Sequence, residues 1–217
     1  VLIIVTMVYG ILLFQVPVHL NQDELGFALN AYSISKTGFD ENGRFLPFYF
    51  WHLGLMWATP IIVYLTSLFL IFLPLSEAVI RLPSVLIGLI NIILIYFVSK
   101  KIFNNKKLAL IGALFLALTP IHFIQSRILL DNLFIVPFIL GWFYLILLFM
   151  EKKRIWLILF ASMLLGLGIH SYHAAKVMMP LYLIFTFFIT FPFWIKKPVI
   201  LPIIIVVVPV AIPVVIV

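Results

Sequence analysis

Most of the chain consists of apolar runs separated by short polar stretches. Several runs approach the roughly 20 residues that a helix needs to cross a hydrocarbon core about 30 Å thick. Because most connections are short, we expect the helices to form one compact bundle. The predicted fold is an all-α, polytopic membrane helical bundle of about seven transmembrane helices, with membrane-surface helices in the first outer loop. The predicted spans are residues 1–20, 82–99, 108–121, 133–150, 155–169, 177–195 and 198–217.

The run over residues 53–75 permits two interpretations. It carries no charge and is long enough to span, but Pro60 lies inside it. Since proline is common in the first turn of a helix, we prefer a half-inserted or membrane-surface helix that begins at Pro60. Residues 19–81 then form a single outer loop. The alternative is an ordinary span, which would place residues 23–44 in the cytoplasm.

Composition and charge support a membrane protein. The chain is 65% hydrophobic and 10% charged, with a mean hydropathy of +1.30, outside the soluble range. The absence of cysteine excludes disulfides and thiol chemistry. The net charge of +7 does not indicate a nucleic-acid partner, because the basic residues form short clusters between apolar runs, as in loops that fix orientation.

The basic clusters predict the orientation of the chain. Those at residues 100–107, 152–154 and 196–197 are expected on the cytoplasmic side. Six of the seven carboxylates then share the outer face. We interpret residues 1–217 as the N-terminal transmembrane module of a longer protein.

The segment NQDELGFALNAYSISKTGFDENGRFLPFYF holds four of those carboxylates. Asn21 or Asp23 can cap a helix here, and Gly38 is placed to end it. Adjacent residues diverge on a helix, so we expect one of Asp23 and Glu24 to face a site while the other caps or pairs. The alternative is that both acids only stabilise the helix N-terminus.

Two further pairs of opposite charge are spaced for one helix face. Arg127 and Asp131, in PIHFIQSRILLDN, are four residues apart, as are Glu77 and Arg81. A charge at the bilayer centre costs about 2.5–3.5 kcal/mol, so we expect these residues near the outer boundary, in a wet cavity, or paired. Glu77 and Arg81 are interpreted as fixing a helix end, with phosphate binding by Arg81 as the alternative.

The segment HSYHAAK places Lys176 four residues after Tyr172 and three after His173, so that the three can share a helix face. We do not predict a metal site from His170 and His173, because a helical pair alone lacks the third ligand that a metal normally needs.

These segments resemble, in order, GT-C-type integral-membrane glycosyltransferases, a group that includes the protein O-mannosyltransferases and the lipid A aminoarabinose transferases. DELGFALNAYSISKTGFDENGRFLPFYF is similar to their first outer loop, and SEAVIRLPSVLIGLINIILIYFVSKKIF to the next span. LALTPIHFIQSRILLDNLF is similar to the segment that ends in a second acid, and GLGIHSYHAAKVMMPL to the helix pair that follows.

The resemblance implies transfer of a sugar from a polyprenyl-phosphate donor to a hydroxyl of a lipid, glycan or protein acceptor. The site would lie on the outer face of a bacterial or archaeal plasma membrane. Asp23 matches the general base, Glu24 its partner and Asp131 the second acid of the pocket. No cofactor is implied, although a divalent cation is possible. The residues predicted to bind substrate are Arg127, Lys176, Tyr172, His173 and Arg81.

Two other classes of protein are compatible with the composition. A secondary transporter would use intramembrane carboxylates as an ion relay, which requires acids near the middle of the membrane, and often shows internal repeats. A non-catalytic assembly subunit would need no acid pair facing a cleft.

Overall fold

The computed structural model describes residues 2–11, 13, 15–52, 54 and 56–194. The predicted span at 198–217 therefore lies outside the described residues. Within them the chain is mainly helical, which confirms the predicted helical class. The helices are α1 (Leu2–Gly10), α2 (Gln22–Thr37), α3 (Pro60–Phe72), α4 (Glu77–Phe103), α5 (Lys106–Leu118), α6 (Pro120–Gln125), α7 (Val136–Lys152), α8 (Ile155–Gly168) and α9 (Ala175–Trp194), with a 3-10 turn at Asp131–Leu133.

Two stretches in the described part of the chain are long and apolar enough to cross a membrane. They are Glu77–Phe103 and Asp131–Lys152. The 27 residues of α4 extend about 40 Å at 1.5 Å per residue, more than a hydrocarbon core of about 30 Å. The count of seven spans stays a prediction, because the other apolar helices, Pro60–Phe72, Ile155–Gly168 and Ala175–Phe191, are shorter.

The basic turns after α4 and α7 lie at the same end of the bundle. An ion pair between Lys101 and Glu151 joins them, and the Nζ of Lys153 lies 4.1 Å from the ring centroid of Phe193, near the end of α9. We call this the basic end (residues 100–107 and 151–154). The starts of α4, α7 and α9 lie at the opposite, acidic end. Within the described residues, the basic clusters and most of the acidic residues thus lie at opposite ends of the bundle, as predicted. Which membrane face each end occupies stays a prediction.

Helix α2 has the boundaries that its sequence predicts. Asn21 and Glu24 form a capping box, in which each side chain accepts a hydrogen bond from the other residue's backbone N–H. The helix ends at Gly38, whose φ of +77° lies in the left-handed region that glycine adopts without strain.

The segment over residues 53–75 is not one helix. Helix α3 begins at Pro60, as preferred above, and its 13 residues extend only about 20 Å. The residues before it form an antiparallel hairpin, β1 (Phe50–His52) with β2 (Met56–Ala58), in which Phe50 pairs with Ala58. The mainly helical fold thus contains one short hairpin that was not predicted from the sequence, and its backbone groups are satisfied by strand pairing rather than by a helix.

Helix α4 is central to the packing. On one side it shares an apolar cluster with α2 and α3 that includes Phe27, Ile62 and Ile80. On another side its backbone approaches the end of α6 so closely that a Cβ on Gly88 would lie 2.2 Å from the Oγ of Ser126. The peripheral helices α5, α8 and α9 instead expose large apolar side chains, as expected of surfaces that face lipid. Examples are Leu110, Leu114, Phe115, Phe160, Leu181, Phe185 and Phe188.

Candidate functional site

The acid pair at the start of α2 divides into one buried and one exposed carboxylate. Glu24 is 1% exposed, whereas Asp23, the preceding residue, is exposed. This agrees with the expectation that the two side chains diverge, and Glu24 is the one that takes part in the capping box with Asn21.

Glu24 forms a buried ion pair with Arg81 of α4. The Nε of Arg81 donates to Oε1 at 2.9 Å and Nη2 donates to Oε2 at 3.2 Å. The i, i+4 partner expected for Arg81, Glu77, is more distant at 3.9 Å. The remaining donors of Arg81 bind backbone carbonyls of residues 13, 17 and 19. These contacts give Arg81, which is fully buried, a structural role, and its predicted phosphate contact would require replacing them.

Arg127 binds the C-terminal end of α1. Its Nη1 donates to the carbonyls of Val8 and Tyr9 at 3.1 and 2.9 Å. Its Nη2 donates to those of Ile11 and Val16 at 2.8 and 2.9 Å. A cation is favourable at a helix C-terminus. All four Nη hydrogens of Arg127 are therefore bound to backbone carbonyls. Phosphate binding by Arg127 stays a prediction, and it would require breaking some of these hydrogen bonds.

Arg127 and Asp131 do not share a helix face, contrary to the expectation from their spacing. Helix α6 ends at Gln125, and the 3-10 turn starts only at Asp131. The reason is tertiary: the guanidinium of Arg127 binds the end of α1, and the intervening backbone N–H of Leu129 donates to the Oε1 of Glu24 at 2.9 Å.

That bond brings the two predicted catalytic acids to the same part of the molecule. Asp23 precedes Glu24 by one residue, and Asp131 follows Leu129 by two. Asp131 is half-buried, and its Oδ2 accepts a hydrogen bond from the hydroxyl of Thr59 at 3.3 Å. The N-terminus of α2 and the start of the α7 segment thus form one acidic face.

The loop of residues 19–81 packs on the turn before α9. The hydroxyl of Tyr49 lies 2.8 Å from the Nδ1 of His170, and both side chains are buried. Burial raises the pKa of Tyr49 to about 12, so this phenol stays neutral at physiological pH. The Nζ of Lys176 lies 5.3 Å from the centroid of the Tyr49 ring, a distance at which a cation is attracted to the ring face.

Tyr172 and His173 do not extend the helix of Lys176. Helix α9 begins at Ala175, and residues 169–174 are not helical. The predicted common helix face of the three side chains was therefore wrong, although Tyr172 is half-buried and His173 exposed near the start of α9.

A cavity of about 290 Å³ lies between α5, α6 and the start of α7, and Asn132, the residue after Asp131, is part of its lining. Three buried atoms of its lining residues have no hydrogen-bond partner in the described protein: Nε2 of His122, Oε1 of Gln125 and Oδ1 of Asn132. None of these three residues was among the candidates predicted from the sequence. Their signal was the presence of polar side chains in an otherwise apolar segment, since buried polar groups normally have partners.

Among the described residues, no group of three or more His, Asp or Glu side chains could hold a metal ion. The acidic end instead combines an exposed carboxylate, a half-buried one, a lysine and buried hydrogen-bonding groups. That combination suits proton transfer and the binding of a polar, anionic substrate.

An apolar helical bundle with its charges gathered at two ends defines an integral membrane protein. The chain belongs to the dolichyl-phosphate-mannose-protein mannosyltransferase family, whose model matches residues 58–217. It is thus a membrane glycosyltransferase of the mannosyltransferase type. No curated protein and no solved structure matches the chain. Asp23 and Glu24 precede the matched region, and the predicted site residues within it are Arg81, Arg127, Asp131, Tyr172, His173 and Lys176.

Proposed function

We propose that the protein transfers a sugar from a polyprenyl-phosphate donor to an acceptor hydroxyl of a lipid, glycan or protein at its acidic end. Asp23 is the general base, and Asp131 shapes the pocket. The observation that carries this proposal is the division of the acid pair: Glu24 is fixed by Arg81 and Leu129, which holds the adjacent Asp23 in place while leaving its side chain exposed.

Chemically, the acceptor hydroxyl loses its proton to Asp23 as it attacks the anomeric carbon, and the bond from that carbon to the phosphate oxygen breaks. The polyprenyl phosphate leaves with the bonding electron pair. General-base catalysis of this kind contributes about 10²- to 10⁴-fold.

Lys176 is the cation that we assign to the leaving phosphate. It is half-buried in the first turn of α9, at the same end as Asp131. Fixed cations stabilise developing negative charge in a water-poor site. Arg127 and Arg81 support the site indirectly, because their Nη groups bind backbone carbonyls of residues 9–19, the segment that leads into α2.

The distribution of acids favours an enzyme over an ion transporter. Six of the seven carboxylates lie at the acidic end, and Glu151 lies at the basic end. An ion relay would need carboxylates along the middle of the bundle.

The proposal is tested by Asp23→Asn, which keeps the size of the side chain but removes the basic oxygen. In membranes containing the full-length protein, transfer of label from a polyprenyl-phosphate sugar should fall by about 10²- to 10⁴-fold. Glu41→Gln is the matched control, because Glu41 is also an exposed acid of the outer loop, and its turnover should stay near wild type. Wild-type turnover by Asp23→Asn would end this mechanism.

A further inference from the structure

A second cavity lies at the basic end, far from the acidic face. It has a volume of about 380 Å³ and opens between the last turns of α4 and α7. One part of its wall is apolar and the other is charged. The lining residues are Phe97, Lys100, Lys101, Asn104, Tyr144, Leu148, Glu151 and Lys152.

The charged part of the wall has an excess of positive charge. Three lysines face one acid, and Glu151 forms its ion pair with Lys101. The other six carboxylates lie at the acidic end, so among the described residues of this wall one acid, Glu151, faces three lysines, and the wall keeps an excess of two positive charges. The C-terminal dipoles of α4 and α7 offset about half a charge each, and the flanking Lys106, Lys107, Lys153 and Arg154 add to the positive field.

The apolar part of the wall continues along the exposed surface of α4, from its last turns towards the midpoint of the helix. The rings of Phe97 and Tyr144 lie 6.0 Å apart across the cavity wall. Ile93, one turn before Phe97 and on the same helix face, is also exposed: 37% and 41% of the two side chains are accessible. An apolar track thus leads from the lysines into the region that lipid chains occupy.

We propose that this cavity is a binding site for an anionic membrane lipid. Its phosphate binds Lys100 and Lys152, and its acyl chain lies along Phe97, Tyr144 and Ile93. The apolar track is the reason to assign a lipid rather than a soluble phosphate. Basic pockets between helices at a membrane surface bind such headgroups.

The expected contribution is about 1 kcal/mol for each lysine near an anionic headgroup, which corresponds to about fivefold in affinity. Removing both charges should therefore weaken binding by about 30-fold. Gln at exposed positions should leave stability almost unchanged, and Lys100 and Lys152 are both exposed.

The test uses the purified full-length chain and native mass spectrometry with phosphatidylglycerol and phosphatidylcholine of identical acyl chains. Wild-type protein should prefer phosphatidylglycerol, and Lys100→Gln with Lys152→Gln should lose that preference by about 30-fold. Lys106→Gln with Lys107→Gln is the matched control: it removes the same charge at the same end, but neither residue lines the cavity. It should retain the preference to within about threefold.

Three results would overturn the proposal. Equal losses in the two double variants would mean that only the general field of the basic end attracts lipid. Equal binding of phosphatidylcholine would mean that the lysines do not select the headgroup. Full competition by millimolar inorganic phosphate would mean that the site takes a soluble anion. Because the assay contains no sugar donor, its outcome is independent of the proposed transferase activity.

Discussion

At the scale of single residues, the two acidic pairs of the outer loop share one design. In each pair one carboxylate is buried and structural, and the other is exposed. Glu24 and Asp40 are 1% and 3% exposed, whereas Asp23 and Glu41 are exposed. Asp40 accepts hydrogen bonds from the backbone N–H and the Nε of Arg44, at 2.7 and 2.8 Å, so it fixes the loop much as Glu24 fixes α2.

The buried ion pair gives a prediction about stability. Glu24→Ala removes the carboxylate that is hydrogen-bonded to the buried guanidinium of Arg81 and leaves only the more distant Glu77; breaking such a buried pair costs about 3–5 kcal/mol. The full-length protein should therefore unfold at a lower denaturant concentration in a detergent titration. Asp23→Ala, which removes an exposed acid next to it, should cost no more than about 1 kcal/mol. Equal destabilisation by the two changes would contradict the structural role of Glu24.

At the scale of secondary-structure elements, local signals predicted helix boundaries and tertiary contacts decided the rest. The Asn21 cap, the Gly38 end and the Pro60 start each depend on residues within one turn, so the sequence contained them. The i, i+4 pairing of Arg127 with Asp131 failed because the end of α1, 111 to 119 residues earlier in the chain, binds the guanidinium. Periodicity could show that Glu24 and Asp23 diverge, but not which of them meets Arg81.

The close approach of α4 to α6 gives a second prediction about stability. In Gly88→Ala the new methyl group would meet the Oγ and Cβ of Ser126 at 2.2 and 2.8 Å. Gly88 and Ser126 both lie in packed segments that cannot easily move apart. The change should therefore destabilise the protein by about 1–3 kcal/mol, as overpacking usually does. In the same unfolding titration, adding Ser126→Gly should recover most of the loss. A Gly88→Ala variant as stable as wild type would show that these helices are not held this close.

At the scale of the whole molecule, the acidic end and the basic end have different proposed roles. The acidic end holds the proposed chemistry, and the basic end holds the clusters that predict orientation. Their separation is a fact of the fold, since α4 begins at Glu77 and ends beyond Lys100 and Lys101. Assigning the acidic end to the outer face depends on the positive-inside tendency.

This assignment gives a prediction about accessibility. Residues 1–217 contain no cysteine, so a cysteine introduced there is the one thiol of this part of the protein. A cysteine at Asn42, exposed in the outer loop, should react with an impermeant thiol reagent in intact cells, whereas one at Asn104, exposed between α4 and α5, should react only after permeabilisation. The reverse pattern would place the proposed site on the cytoplasmic side.

The ion pair and backbone bonds around Glu24 also constrain how the protein is made. Glu24 leaves the ribosome long before its partner Leu129, which is 105 residues later in the chain. At about 5–20 residues per second, about 5–20 s pass before the backbone N–H of Leu129 is available to Glu24. Arg81, the ion-pair partner of Glu24, is made 57 residues after it, so Leu129 is the partner that arrives last. Until residue 129 has been made, the α2 segment therefore lacks one of the contacts that fix it in the folded protein.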